Sequence, residues 1–156
     1  MKKKLNVFCV LMLLIMAAEV VMTFVLSFGD YAQSFNEGLH DGRSKGFTVV
    51  EVIMLIMAIP ILYILIRSFV SFIKFILNVN RDKVFVWENV PLLHWAGWGN
   101  LAGHVYTLII DLLEREPLDK MYLEHTDGIV FAVFILIVAE VFTIGLKLKE
   151  EQELTI

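Results

Sequence analysis

The chain has 156 residues, a length typical of one domain, and a formal net charge of −4. Hydrophobic residues make up 58% of it and the mean hydropathy is +0.75, whereas soluble domains are roughly 45–50% apolar. Cys9 is the only cysteine, which excludes intramolecular disulfides and thiolate metal clusters, and no basic patch indicates direct binding of nucleic acid.

Four long apolar runs predict an all-α polytopic membrane protein, a bundle of four transmembrane helices. A helix needs about 20 apolar residues to cross a bilayer. The four helices are predicted at approximately 5–28, 47–73, 92–113 and 128–147. A cleaved signal peptide is the competing interpretation of the first run, but that run exceeds the usual hydrophobic region of such peptides and Glu19 interrupts it.

The segments between the runs set the predicted topology. Outer loops are expected at 29–46 and 114–127, a cytoplasmic loop at 74–91 and a cytoplasmic tail at 148–156. With both termini inside, the inner side holds nine Lys and Arg residues and the outer side four, which agrees with the positive-inside rule. We therefore expect residues 1–156 to form a single membrane domain in the cytoplasmic membrane, with the lipid bilayer as its surroundings.

Five of the polar residues within the predicted membrane helices form a candidate cluster: Glu19, Asn100, His104, Asp111 and Glu140. Ionisable side chains at this depth are costly and usually face the interior of a bundle. We expect a contact between Glu19 and His104, with Asn100 and Glu140 near it. Two interpretations stay open, since such a cluster either holds the helices in register or binds a ligand, an ion or a proton.

The sequence contains none of the motifs that would predict an enzyme. There is no GxSxG, P-loop or GxGxxG pattern and no close pair of histidines, so no catalytic residue, metal site or cofactor is predicted. The stretch Met16–Thr23 resembles the first helix of small multidrug-resistance transporters around their membrane glutamate. That likeness keeps a proton-coupled transporter or a ligand-binding membrane protein as the alternative function.

Two separated motifs carry a resemblance that spans nearly the whole chain. Residues 84–90 have the pattern VF-x-x-ENV, and residues 139–156 read AEVFTIGLKLKEEQELTI. In both motifs the chain is similar to a bacterial four-helix membrane family catalogued as domain of unknown function twenty-nine seventy-five. Residues 91–97 depart from the family, whose members usually have basic residues after the first motif.

The resemblance implies a regulatory or sensory membrane protein, because members of this family are often encoded beside a small helix-turn-helix DNA-binding regulator. The expected contact residues are Val84, Phe85, Glu88, Asn89, Glu150, Glu151, Gln152, Glu153, Leu154, Thr155 and Ile156. An acidic tail with an apolar tip suits a basic DNA-binding protein. A solvated, frayed terminus is the alternative interpretation of the tail.

Overall fold

The computed structural model is all-helical, with 91% of the residues in helices and no strand in the part of the chain that it describes. It describes residues 2–46, 48–114 and 118–154. Within these ranges, the structure describes the backbone but not the side chains of residues 2–5, 19–20, 23–24, 26–31, 34, 41–45, 114 and 118–125. The helices are α1 (Lys2–Lys45), α2 (Val49–Asn80), α3 (Asn89–Glu114) and α4 (Leu118–Glu153).

These helices extend well beyond the apolar runs. The predicted outer loop 29–46 is instead helical as far as Lys45, and α4 already begins at Leu118. The predicted cytoplasmic loop 74–91 shortens to a connection of residues 81–88, and the predicted tail is helical as far as Glu153. The physical reason is that an apolar run marks only the stretch that needs apolar surroundings, while a polar sequence without proline can continue the same helix.

Helix α1 ends and α2 begins through two recognisable capping motifs. Gly46 follows α1 with a φ of 71°, the left-handed conformation that commonly terminates helices. The Thr48 hydroxyl accepts a hydrogen bond from the Glu51 amide at 3.3 Å, and the Thr48 amide donates to Glu51 Oε2 at 2.7 Å. This is a capping box, so Glu51 serves the start of α2. The predicted first residue of this helix, Phe47, lies outside the described residues.

The end of α2 is closed by a Schellman motif. Asp82 has a φ of 63°, and its amide donates to the carbonyl of Val79 at 3.1 Å. The Lys83 amide donates to the carbonyl of Asn78 at 3.0 Å. These two bonds satisfy carbonyls at the end of the helix and turn the chain sharply into the connection to α3.

The chain divides into two compact units, Met1–Met57 and Ala58–Ile156. The first contains α1 and the start of α2; the second contains the rest of α2 together with α3 and α4. The buried core of the second unit consists of Leu93, Ala96, Ile135 and Ala139, with Phe72, Phe75, Val138 and Phe142 packed against it. A single membrane domain over the whole chain stays a prediction.

Small residues bring α2 and α3 into close contact. A Cβ added to Gly99 would lie 2.5 Å from Ser68 Cβ, so only glycine fits there without movement. The Ser68 hydroxyl donates a hydrogen bond to the carbonyl of Ala96 at 2.8 Å. One turn further, a Cβ on Gly103 would meet a methyl group of Leu65. Small side chains and hydroxyl-to-carbonyl bonds are the usual means by which helices associate in membranes.

Two helical segments, Val49–Asn80 and Thr126–Glu153, are long and apolar enough to cross a membrane. None of the residues in the most apolar stretch of the first is buried, and only 22% of those in the second are. A core helix of a soluble protein would be mostly buried in such a stretch. Exposed apolar surface of this extent is typical of a surface that contacts a membrane or another protein.

Candidate functional site

The connection between α2 and α3 is held in place by the side chain of Asn89, which is fully buried. Its Oδ1 accepts a hydrogen bond from Asn78 Nδ2 at 2.9 Å. Its Nδ2 donates to the carbonyls of Lys83 and Val84, both at 2.7 Å. The amide group therefore uses both of its donor hydrogens and an acceptor, which ties the connection to the end of α2. Asn89 therefore holds this segment in place from the protein interior, and its buried side chain has no exposed surface that a partner could contact.

Phe85 joins this connection to α4. Its ring stacks on that of Phe142 with centroids 5.1 Å apart and an interplanar angle of 23°. Phe142 also meets Phe75 of α2 edge to face, with centroids 5.7 Å apart. A Cβ on Gly145 would lie 3.6 Å from the Phe85 ring. Such aromatic pairs contribute about 0.5–1.5 kcal/mol beyond the area they bury. Phe85 therefore fixes the connection against α4.

A second contact joins the same two segments nearer the end of α4. Trp87 Nε1 donates a hydrogen bond to Glu150 Oε1 at 2.5 Å, across 63 residues of sequence. Phe85 remains 54% exposed and Trp87 43% exposed, so both rings present a large face outward. We call residues 81–88 and 142–154 together the loop–tail surface. It combines exposed aromatic rings with the carboxylates at the end of α4.

The other expected contact residues are mostly at this surface. Val84 is half-buried, whereas Glu88, Glu150, Glu151, Gln152, Glu153 and Leu154 are exposed. Leu154 is the most exposed of them at 87%. Lys149 pairs with Glu153 at 3.8 Å. Thr155 and Ile156 lie outside the described residues. The loop–tail surface thus gathers candidates from both motifs, with Asn89 beneath it.

The second region of interest is an open cavity of about 770 Å³ between α2 and α3. Three of the five polar residues predicted within the membrane line it, namely Asn100, His104 and Asp111, together with Tyr106 and Thr107. The wall from α2 is apolar. The Oδ1 atom of Asn100 is buried and has no hydrogen-bond partner. The cavity therefore places an unsatisfied acceptor beside apolar side chains.

His104 reaches from α3 to α4 as well. Its imidazole occupies the space that a Cβ on Gly128 would fill, so the glycine allows the ring to lie against α4. Glu140 lies elsewhere: its Oε1 is 3.6 Å from Nε2 of His94, and its side chain is 65% exposed. The structure thus pairs Glu140 with a histidine ten residues before His104. The side chain of Glu19 is outside the description, so its expected contact with His104 stays a prediction.

Comparison with known proteins assigns the chain to a family. The family described as Protein of unknown function (DUF2975) matches residues 38–156, which is most of the chain. The chain belongs to the DUF2975 family. No curated protein and no solved structure matches it.

The DUF2975 match contains both regions of interest. The loop–tail surface and the cavity lie within residues 38–156, whereas Glu19 precedes the matched segment. The two motifs that resemble the family are also the two segments that Phe85 and Phe142 bring together. Among the described residues, no group of three or more His, Cys, Asp or Glu is placed to hold a metal ion.

Two features of this DUF2975 protein are missing from the sequence-based prediction although the sequence contains a signal for each. Residues 99–103 have the G-x-x-x-G spacing typical of close helix contacts, and they form the contact with α2. Residues 48–51 have the T-x-x-E spacing of a capping box. The pairing of His94 with Glu140 has no such signal, because it depends on how α4 is rotated against α3.

Proposed function

We propose that this protein crosses the bacterial cytoplasmic membrane four times, with both termini in the cytoplasm, and docks a small basic DNA-binding regulator on its loop–tail surface. The observation that carries the proposal is the stack of Phe85 on Phe142, with the bond from Trp87 to Glu150 beside it. These contacts turn a connection and a helix end, far apart in sequence, into one continuous surface.

Several observations support the membrane location. The most apolar stretch of α2 has no buried residue, and residues 6–18 of α1 form a further apolar segment. The guanidinium of Arg67 lies 4.8 Å from the ring centroid of Trp95. A cation stacked on a tryptophan is typical of the level where a membrane meets water. In the proposed topology both residues belong to the cytoplasmic half of their helices, as the positive-inside rule requires.

The charges at the end of α4 support a role in binding. Glu150, Glu151 and Glu153 occupy the last helical turns, and the last turn contains no basic residue. The negative end of the helix dipole disfavours carboxylates there by about 0.3–1 kcal/mol each. Lys149 offsets part of this for Glu153. These carboxylates destabilise the helix, and they lie next to exposed aromatic rings. Such a combination is suited to binding a basic partner protein.

The proposed partner is a protein whose DNA-binding face is basic. Its cations would meet the carboxylates of α4, and an apolar side chain would pack on Phe85 or Trp87. Because the same basic face binds DNA, docking on the membrane protein competes with DNA binding. A signal received by the helices would release the regulator only by changing the affinity of the loop–tail surface for it.

The test is affinity purification of the tagged full-length protein from native membranes, followed by mass spectrometry. We expect a small basic DNA-binding protein to be enriched with the wild type and depleted about tenfold or more when Glu150, Glu151 and Glu153 are all changed to Gln. Asp127→Asn is the matched control, because it removes an exposed carboxylate at the other end of α4. Equal recovery with the triple variant would overturn the docking role of the tail.

A second candidate function is ligand binding or proton-coupled transport by the polar residues within the membrane. The cavity of about 770 Å³ that contains Asn100, His104 and Asp111 favours it. For transport, proton flux into liposomes that enclose a pH-sensitive dye should be abolished by Asp111→Asn. Flux that is equal in the variant and in the wild type would exclude a proton pathway through this residue.

A further inference from the structure

The cavity between α2 and α3 has two chemically different walls. Helix α2 contributes only apolar side chains to it, those of Ala58, Ile61, Leu62 and Leu65. Helix α3 contributes an amide, an imidazole, two hydroxyl groups and a carboxylate. A molecule that fills this space must therefore have an apolar body and a polar side that faces α3.

The polar wall favours a ligand that donates hydrogen bonds. Asn100 Oδ1 is buried and accepts no bond. The Thr107 hydroxyl donates its hydrogen to backbone carbonyls of its own helix, at 3.2 Å to Gly103 and 3.1 Å to His104, so toward the cavity it acts as an acceptor. A buried acceptor without a donor is unfavourable, and a ligand whose N–H group reached this oxygen would remove that cost.

The charge of the lining favours a cation. Among the described residues that line the cavity, Asp111 is the only acidic one and none is Lys or Arg. Asp111 and His104 also have interaction partners within the protein, which fix their positions before a ligand enters. An ammonium group near Asp111 would find a carboxylate in surroundings that are partly apolar, where charge pairing is stronger than in water.

The dimensions suit a small organic molecule. Sites for such ligands are typically about 300–1,000 Å³, and this cavity has about 770 Å³. From Asn100 to Asp111 the polar wall is about 16 Å long, at the helical rise of about 1.5 Å per residue. This length leaves room for one ligand to place an ammonium group at Asp111 while its apolar body lies along α2.

We propose that this cavity binds an amphipathic organic amine. The ammonium group pairs with Asp111, and the apolar body lies on Ile61, Leu62 and Leu65. Where the ligand has a second N–H or O–H group, that group donates to Asn100. The proposal rests on the second candidate function, ligand binding within the membrane, and is independent of the loop–tail surface.

Equilibrium dialysis of the full-length protein in lipid nanodiscs tests the proposal, with empty nanodiscs as the blank. The probes are 3,3-diphenylpropylamine, the neutral 3,3-diphenylpropanol and the anionic 3,3-diphenylpropanoate, which share one apolar body. We expect the amine to bind saturably and at least about tenfold more tightly than the alcohol, a difference of about 1.4 kcal/mol, and the carboxylate to bind weakest.

Three variants locate the site. Asp111→Asn should reduce the affinity for the amine to that for the alcohol and leave the alcohol unchanged. Leu65→Trp should block the cavity and abolish binding of both. Glu140→Gln, which removes an exposed carboxylate outside the cavity, should change neither. The circular dichroism of each variant checks that it is folded.

The outcomes separate the chemical class from the site itself. Tighter binding of the alcohol or carboxylate than of the amine, lost in Leu65→Trp, overturns the amine while ligand binding in the cavity stands. Amine binding that survives both Asp111→Asn and Leu65→Trp places the ligand elsewhere and overturns the proposal. If none of the three probes binds saturably, the proposal fails, while the proton-flux measurement decides the second candidate function separately.

Discussion

The amide of Asn89 provides the sharpest test of how the family motif works. Its three side-chain hydrogen bonds connect the end of α2, the 81–88 connection and the start of α3. A buried hydrogen bond contributes about 1 kcal/mol net, so the three together contribute about 3 kcal/mol. Water can reach part of this segment, because Lys83 is exposed. We therefore expect Asn89→Ala to lower the free energy of unfolding by about 2–3 kcal/mol.

Two further variants make the reasoning specific to the donor hydrogens. Asn89→Asp keeps the shape but loses both donors and sets a carboxylate against two carbonyl oxygens, so it should destabilise at least as much as Asn89→Ala. Asn78→Ala removes only one of the three bonds and should cost about 1 kcal/mol. Glu88→Gln, a change at the exposed neighbour, should have an effect below about 0.5 kcal/mol.

The assay is titration of the protein in mild detergent with sodium dodecyl sulfate, followed by the loss of helical circular dichroism. The free energies of unfolding of the variants are compared at the same detergent composition. If Asn89→Asp unfolds within about 0.5 kcal/mol of the wild type, the three hydrogen bonds do not hold the connection and the account of the motif is refuted.

The remaining predictions concern the helix contacts and use the same titration. Gly99→Ala should cost about 1–3 kcal/mol, because its Cβ would lie 2.5 Å from Ser68 Cβ. Gly38→Ala, whose Cβ would meet nothing within 4 Å, should instead stabilise α1 by up to about 1 kcal/mol. If both substitutions changed the free energy of unfolding in the same direction, the close contact of Gly99 with Ser68 would be contradicted. Gly128→Ala should destabilise by displacing the imidazole of His104, and His104→Ala in the same chain should recover at least about 1 kcal/mol of that loss. Strictly additive effects would show that the two residues do not touch.

The sequence predicts where the helices lie better than where they end. Long apolar runs leave the backbone few alternatives to a helix in apolar surroundings, and α2 and α4 include the predicted runs apart from Phe47 and Thr48. Polar composition is a weaker signal for loops. In 29–46, Gln33 Nε2 donates to Glu37 Oε1 at 2.8 Å, a contact one helical turn apart that supports a polar helix as well.

The sequence likewise predicts which polar residues of α3 lie together but not their contacts with other helices. Helical spacing puts Asn100, His104 and Asp111 near one stripe of α3, and all three line one cavity. Spacing within one helix gives no information on the rotation of another, so the partner of Glu140 is His94, a residue outside the predicted cluster. Contacts between helices depend on three-dimensional packing, which small residues such as Gly99 and Gly128 control.

The structure also gives the family motifs a physical meaning. The central motif supplies Asn89, whose buried side chain holds the 81–88 connection in place, and Phe85, which packs this connection against α4. The C-terminal motif supplies the aromatic ring and the glycine that receive this phenylalanine. A substitution in one motif is therefore expected to alter the other, since both contribute to one surface.

The proposed docking of a regulator on this surface is tested most directly by photocrosslinking in living cells. A photoreactive benzoylphenylalanine replaces Trp87, which is 43% exposed, and in a second strain Ile59, which is 73% exposed on the apolar face of α2. The account predicts a covalent adduct with a small basic DNA-binding protein from position 87, identified by mass spectrometry, and none from position 59. No such adduct from position 87, or the same adduct from both positions, would contradict it.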